Sequence, residues 1–322
     1  MRVQGFATHD PLARLEPFEF ERRSLRSNDV QIEIAHCGIC HTDIHMSRND
    51  WGISQYPCVP GHEIIGRVTA VGSDVSRYRV GDLVGVGCFV DSCGACGSCR
   101  AGEENYCEAG VLFTYCGVEP DGSITYGGYS TDIVVNERFV FRVPDNLHPA
   151  AAAPLLCAGI TTYSPLRLIQ LAPGDTIAIM GLGGLGHMAV QFAVAMGAEV
   201  TVLSRSPDKA EDAARFGAHD FVDTRQHDSL SRHAGRFRYI VDTIAFGLVW
   251  WRLATWPDRV VDIDSAAVDL LTSAAFAASA LADLLAARTA ELRTTLVEVT
   301  ADPGTDTVVA GARGLALRMA YA

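Results

Sequence analysis

Ten cysteines, at positions 37, 40, 58, 88, 93, 96, 99, 107, 116 and 157, carry the most chemistry in this 322-residue chain. Cys93, Cys96, Cys99 and Cys107 read C-x2-C-x2-C-x7-C on a glycine-rich stretch. At that spacing four thiolates close a tetrahedral shell around Zn2+ at about 2.3 Å per bond, with no position left for a substrate. Such a site is architectural. An iron–sulfur cluster is the rival, set back by the wide last gap and the absence of C-x3-C-P, and four unbound thiols are the plain alternative. A second, looser set comprises Cys37-Gly-Ile-Cys40-His41-Thr42-Asp43-Ile44-His45, then Gly61-His62-Glu63, then Cys157. Cys37 and Cys40 cannot share one zinc ribbon with Cys93 and Cys96, because the gap far exceeds the roughly 15–20 residues of such ribbons. Catalytic zinc takes three ligands from distant segments and keeps a fourth position open; Cys40, His62 and Cys157 supply such a Cys2His set. Taken alone, His62 beside Glu63 reads equally well as a satisfied structural pair.

These residues need elements to hold them. Asp175–Met180 is a short β-branched apolar run, followed by Gly181-Leu-Gly183-Gly184-Leu-Gly186, after which Leu185, Met188, Ala189, Phe192, Ala193 and Met196 recur at helical spacing. A G-x-G-x-x-G between a strand and a helix is a dinucleotide-binding turn, whose glycines admit a pyrophosphate to backbone N–H groups at the positive end of the helix. A glycine-rich packing turn is the alternative. The next strand, Glu199–Leu203, delivers the residue that reads the adenosine ribose. An NAD site places a carboxylate there. This chain instead has Ser204, Arg205 and Ser206, and then Lys209, the sole lysine among 26 cationic residues. Hydroxyls, a guanidinium and an ammonium suit the 2′-phosphate of NADP, which a carboxylate would repel. Ser206 can also cap a helix that starts at Pro207, leaving Lys209 solvated. Strand-like runs at 220–223 and 239–242 continue an alternating α/β pattern.

Composition narrows the field. Lys+Arg number 26 against 38 Asp+Glu, a net charge of −12, which disfavours nucleic acid and anionic membrane as partners. Thr176–Ala198 lacks formal charge and is long enough to span a bilayer, but its five glycines, His187 and Gln191 read as strand, turn and buried helix. No leader is evident at Met1–Asp10, and the cysteine clustering suits metal in a reducing compartment, so the expected address is cytoplasmic.

The ordered series C-G-I-C-H-T-D-I-H, P-G-H-E, C-x2-C-x2-C-x7-C, G-G-Y-S, A-P-L-L-C-A-G-I-T and G-L-G-G-L-G resembles the zinc-dependent medium-chain alcohol dehydrogenases, within them the cinnamyl alcohol dehydrogenase branch, from near the N-terminus to Thr243. The resemblance implies an α/β protein: a GroES-like β-rich catalytic domain over 1–148 and a doubly wound Rossmann domain from 149. It implies catalytic zinc on Cys40, His62 and Cys157, with Glu63 able to approach the metal and Asp43 orienting His62. It puts structural zinc on Cys93, Cys96, Cys99 and Cys107, and a proton relay on Thr42 and His45. NADP(H) would lie on Gly181, Gly183, Gly184, Gly186, Ser204, Arg205, Ser206 and Lys209, with Trp51 walling a pocket for a small alcohol or aldehyde. Cys37, Cys58, Cys88 and Cys116 match no ligand position and are expected to be small buried hydrophobes.

After Ile244 the family's pattern stops. Residues 245–322 read instead as Ala245-Phe-Gly-Leu-Val-Trp250-Trp251-Arg252 and an alanine-rich tract from Ala266, with a helix allowed over 268–290. A reading-frame change or recombination in a GC-rich gene is one account, tested by translating the downstream DNA in the other two frames; a genuine variant is the other. The Rossmann half is therefore expected to be incomplete or altered, a homodimer doubtful, and a catalytically silent zinc-binding remnant stands beside the active dehydrogenase as a second functional expectation.

Overall fold

The computed structural model describes residues 1–226, 229–230 and 232–244, together with the backbone of 260–262. Two compact units divide after Cys157. In the first, β1 (Arg2–Ala7) pairs antiparallel with β2 (Glu16–Glu21). After β3 (Asp29–Cys37) comes α1 (His41–Arg48), then β4 (Ile64–Val71), β5 (Leu83–Val86), β6 (Phe89–Asp91), the short α2 (Gly97–Arg100), β7 (Leu112–Phe113), β8 (Asp132–Asn136), β9 (Val140–Arg142) and α3 (Pro149–Ala152). Five of these strands form an antiparallel sheet in the order β8-β3-β4-β5-β9. Its strands are rich in Val and Ile, and their inward side chains, Val30, Ile32, Ile64, Val68, Val84, Val86, Ile133 and Val140 among them, make one buried cluster. Each such side chain contributes about 1.5–3 kcal/mol on burial. β6 and β7 form a separate two-stranded ribbon that closes the base of the loop carrying Cys93–Cys107.

The second unit opens with α4 (Ala158–Leu168) and continues through β10 (Thr176–Met180), α5 (Gly184–Ala195), β11 (Glu199–Ser204), α6 (Ala210–Arg215), β12 (Asp220–Asp223) and β13 (Tyr239–Asp242) to β14 (Val260–Asp262). All five strands run parallel in the order β12-β11-β10-β13-β14. Both faces of such a sheet must be covered, which explains the near-continuous apolar run Ile177-Ala-Ile179 and the buried Val200, Val202 and Val241 packed under Ala189, Val190 and Ala193. The order reverses between β10 and β13, and the carboxyl ends at such a switch are where ligands bind in open α/β sheets.

Two expectations shift. The division falls after Cys157 rather than after residue 148, because Ala152, Ala153, Leu155 and Leu156 pack against Ile65, Leu83 and Val143 of the first unit. Within the divergent segment, the β-branched pair Val260-Val261 extends the parallel sheet by one strand, Ile240 facing Val260 and Val241 facing Val261. The sheet thus continues one strand past the point where the family's pattern was expected to be lost. The allowed helix at 268–290 and the tryptophans at 250, 251 and 256 lie outside the described residues.

Candidate functional site

One carboxylate organises the looser cluster. Asp43 is the third residue of α1, whose N-cap is Cys40; its Oδ2 accepts from the Cys40 N–H at 2.9 Å, which fixes the start of the helix and the place of the Cys40 side chain. Asp43 is only 3 % exposed. Its Oδ1 also accepts from the Gly61 N–H (3.0 Å) and the Tyr115 hydroxyl (2.9 Å) and meets His62 Nδ1 at 3.1 Å, while Oδ2 accepts from the Tyr129 hydroxyl at 3.0 Å. Burial works against ionisation here, but the bonds from His62, Cys40 and Tyr115 outweigh it and hold the carboxyl below its ordinary value. Gly61 makes the approach possible: its φ of +102° is left-handed, and a Cβ there would come within 2.8 Å of both Tyr129 N and Cys37 Sγ.

With Nδ1 turned to Asp43, His62 presents Nε2 to the thiols. It lies 3.3 Å from Cys157 Sγ, and Cys157 Sγ lies 3.8 Å from Cys40 Sγ. Ligand atoms of Cys40, His62, Glu63 and Cys157 all fall within 4.8 Å of one another. An ideal zinc tetrahedron with the usual bond lengths has S···S edges of about 3.8 Å and S···N edges of about 3.6 Å, so the donor set fits this ion. The electrostatics of the donor set suit a cation. Sharing a proton with Cys157, and burial, push the Cys40 thiol up to about 12, and burial with the Cys40 charge nearby pushes the Glu63 carboxyl up to about 7. The anionic forms of these groups repel one another, and a bound cation would offset that repulsion.

The quartet is built locally. Cys96 caps α2 and its sulfur accepts from the N–H of Cys99 (3.4 Å) and of Glu108 (3.5 Å); Cys93 Sγ accepts from Ala95 N–H (3.5 Å), and Cys107 Sγ from Cys93 N–H (3.4 Å). N–H groups aimed at sulfur favour thiolate, so Cys93 falls to about 6 and Cys96 is lowered as well. Cys99, hydrogen-bonded to Ser92 yet buried among the other thiols, is pushed up to about 11. The four sulfurs lie within 4.8 Å of one another, with Cys93 and Cys99 at 3.9 Å. Backbone N–H groups favour the thiolate form at two of the four positions and close the loop around them. Zinc fits it.

Thr42 and His45 stand three residues apart on α1 and so share a face. His45 Nδ1 is tied to Asp50 Oδ2 at 2.8 Å, and its ring stacks between His41 (4.7 Å) and Trp51 (5.3 Å). Trp51 is half-buried against Met46, Cys58 and Tyr115, and its buried Nε1 has no partner among the described residues.

In the second unit Gly183 and Gly184 face open space, and no side chain caps the N-terminus of α5, leaving a cradle of backbone for an anion. Ser204 ends β11, with its Oγ accepting from the Ser206 N–H at 3.1 Å; Arg205 is exposed and Ser206 half-buried. Lys209 Nζ donates to the Leu182 carbonyl at 2.9 Å, which brings the only lysine to the glycine turn itself. Ser206 precedes a short 3-10 turn, Pro207–Lys209, but its side chain makes no capping bond, so the alternative role of a helix cap is not seen.

Tyr115 and Tyr129 are the site residues that sequence reasoning passed over. Tyr129 sits in the quoted G-G-Y-S, and that motif was the available signal; nothing local marks Tyr115. Of the four cysteines expected as buried hydrophobes, only Cys58 is buried; Cys37, Cys88 and Cys116 are partly exposed.

An antiparallel unit bearing two metal-ligand clusters, followed by a parallel dinucleotide-binding sheet, defines a zinc-binding dehydrogenase. The family described as "Alcohol dehydrogenase GroES-like domain" matches residues 26–145, and "Zinc-binding dehydrogenase" matches 184–252, running beyond Ile244. The probable formaldehyde dehydrogenase AdhA of Bacillus subtilis is 55% identical over 236 residues, 73% of this chain and 68% of that protein. NADP-dependent alcohol dehydrogenase C 1 of Mycolicibacterium smegmatis is 51% identical over 247 residues, 76% of this chain and 71% of its own. The crystal structure of CAD from Helicobacter pylori complexed with NADP(H) superposes with a TM-score of 0.75 at 39% identity, covering 81% of this chain and 76% of that one. The chain belongs to the zinc-dependent medium-chain alcohol dehydrogenases, in the cinnamyl alcohol dehydrogenase branch. Among the described residues no helix is long and apolar enough to cross a membrane.

Proposed function

We propose that this chain interconverts primary alcohols and aldehydes with NADP(H), holding two zinc ions: one on Cys40, His62 and Cys157, and one on Cys93, Cys96, Cys99 and Cys107. The observation that carries the reading is the convergence of Cys40 Sγ, His62 Nε2 and Cys157 Sγ while Asp43 holds Nδ1 of the same histidine. When bound, the first zinc acidifies an alcohol hydroxyl or polarises an aldehyde carbonyl, and the nicotinamide accepts or donates hydride.

The chain's own residues do the rest. Asp43 selects the histidine tautomer that presents Nε2, and its tyrosine and backbone donors keep it ionised for that role. Glu63 stands beside the ligands, able to approach the metal. Thr42 and His45 would serve as the first and last members of the proton relay that leads away from the alcohol hydroxyl, with Asp50 keeping His45 Nδ1 engaged. Trp51 supplies an apolar wall. Gly181, Gly183, Gly184 and Gly186 admit the pyrophosphate, and Ser204, Arg205, Ser206 and Lys209 take the 2′-phosphate; the absence of a carboxylate at the end of β11, the similarity to an NADP-dependent alcohol dehydrogenase and the similarity to a CAD solved with NADP(H) support that choice. A small-molecule substrate and a cytoplasmic address go with this reading.

The test is NADPH oxidation with benzaldehyde, run beside zinc stoichiometry. Two zincs with turnover, NADPH preferred over NADH, is the expected result. Two zincs without turnover would leave the silent zinc-binding remnant as the better description, and metal-free soluble protein would remove both readings.

A further inference from the structure

Outside both metal clusters, Cys58 and Cys116 bring their sulfurs to 3.3 Å across 58 residues of sequence. Each is held from its own backbone. Cys58 exchanges hydrogen bonds with Thr8 in both directions, its N–H donating to the Thr8 carbonyl at 2.8 Å and its carbonyl accepting from the Thr8 N–H at 2.9 Å. The Cys116 N–H donates to the Thr125 carbonyl at 3.0 Å, and the following Gly117 N–H donates to Thr125 Oγ1 at 2.8 Å. Cys116 has φ +56°, a left-handed conformation that a residue with a Cβ adopts only when its surroundings impose it. The pair is therefore placed by two fixed loops, with Met46, Tyr115 and Trp51 packed around it. Cys58 is 1 % exposed, whereas Cys116 reaches the surface in part.

We propose that Cys58 and Cys116 form a peroxide-responsive dithiol that closes reversibly to a disulfide without involving the zinc thiolates. The two sulfurs are unequal. Their mutual hydrogen bond lowers the Cys116 thiol, while the same bond and burial push Cys58 up. Cys116 is the more acidic and more accessible sulfur and reacts first. Its thiolate attacks one oxygen of hydrogen peroxide, the O–O bond breaks, and the departing hydroxide takes up a proton to leave as water. The Cys116 sulfenic acid is then attacked by Cys58 sulfur, whose proton leaves with the hydroxyl as a second water. The sulfur pair loses two electrons, and one peroxide becomes two waters. A thiol reductant reverses the step by exchange.

Closing the bond brings the sulfurs from 3.3 Å to about 2.05 Å. The approach draws together the segment leading into Gly61-His62 and the one carrying Tyr115, both of which bond Asp43. The modification thus acts on the support of the looser cluster and touches no ligand.

Zinc-loaded full-length protein is treated with limiting hydrogen peroxide, alkylated, digested and mapped by mass spectrometry, with released zinc followed by a chromophoric indicator. The expected result is a peptide pair linked through Cys58 and Cys116, formed before zinc release and lost with dithiothreitol. Cys58→Ser and Cys116→Ser each abolish it, and Cys58→Ser leaves Cys116 as a trappable sulfenic acid. Both cysteines remaining alkylatable at peroxide levels that already release zinc would overturn the proposal, as would disulfides mapping only to the ligand cysteines. These outcomes are read without an activity assay, so they stand apart from the fate of the proposed reaction.

Discussion

Replacing Asp43 with asparagine changes one atom of a buried side chain and leaves five donors to share one acceptor oxygen. If the amide oxygen keeps the Oδ1 position, Gly61, His62 and Tyr115 remain served, but the new NH2 faces the Cys40 N–H and the Tyr129 hydroxyl. The hydroxyl can turn and accept. The backbone N–H cannot, and a buried donor stranded in this way costs about 1–3 kcal/mol. The opposite orientation strands the Gly61 N–H instead. The bonds that survive also lose their charge assistance, which is worth about 1 kcal/mol each where donor and acceptor are well aligned. With three such bonds the sum is about 4–6 kcal/mol, measured as a fall in the urea midpoint of zinc-loaded protein. Loss of the carboxylate behind a ligating histidine also weakens metal affinity by about 10–100-fold, read by competition with a chromophoric chelator. Tyr115→Phe and Tyr129→Phe remove one bond each and should cost about 1 kcal/mol apiece, less than Asp43→Asn. Asp43→Asn protein with the wild-type urea midpoint and wild-type zinc affinity would refute the reasoning, because it would show that the five donors do not depend on a carboxylate.

Cys107→Ser removes one corner of the quartet and, on the proposed ligand assignment, should lower bound zinc by one per chain by elemental analysis. Gly186→Ala places a Cβ 2.2 Å from the Gly181 carbonyl oxygen, so it should destabilise by about 1–3 kcal/mol in denaturant titration and raise KM for NADPH. Lys209→Met should raise KM for NADPH by about tenfold, about 1.4 kcal/mol, while changing KM for NADH little in a protein of unaltered melting temperature. Asp175, whose carboxyl is lowered by the Ala172 N–H and by Arg238, stabilises the second unit above its unfolded value near pH 3.9 and loses that contribution as pH falls through its lower folded value. The difference in urea midpoint between wild type and Asp175→Asn should therefore be full at neutral pH and vanish in that acid window.

The quartet was legible because it is local. Cys93 to Cys107 share one loop, and of the N–H groups that lower Cys93 and Cys96, those of Ala95 and Cys99 lie within three residues, with Glu108 closing the loop from its far end. The glycine turn was legible for a similar reason: a β-branched strand, four glycines and a helical repeat stand in a row, and β10 and α5 begin and end close to where that pattern places them. The cap that the local pattern allowed at Ser206 is absent, since the chain there enters a 3-10 turn whose first residue is Pro207. The strand at Val260–Asp262 was hidden because three residues carry too little periodicity to stand out from an unfamiliar segment, and pairing with β13 makes it a strand.

Residue types and spacing alone marked out the candidate zinc ligands and a glycine turn between strand and helix, and determined that no carboxylate follows the next strand directly. Folding decided everything that joins distant parts of the chain. Cys157 reaches Cys40 across 117 residues, Tyr115 and Tyr129 close on Asp43 across 72 and 86, and Lys209 turns back to Leu182 across 27. Such partners are chosen by sheet closure and core packing, which sum many weak contacts over the whole unit, whereas a ligand loop or a glycine turn is set by the torsions of a few neighbours.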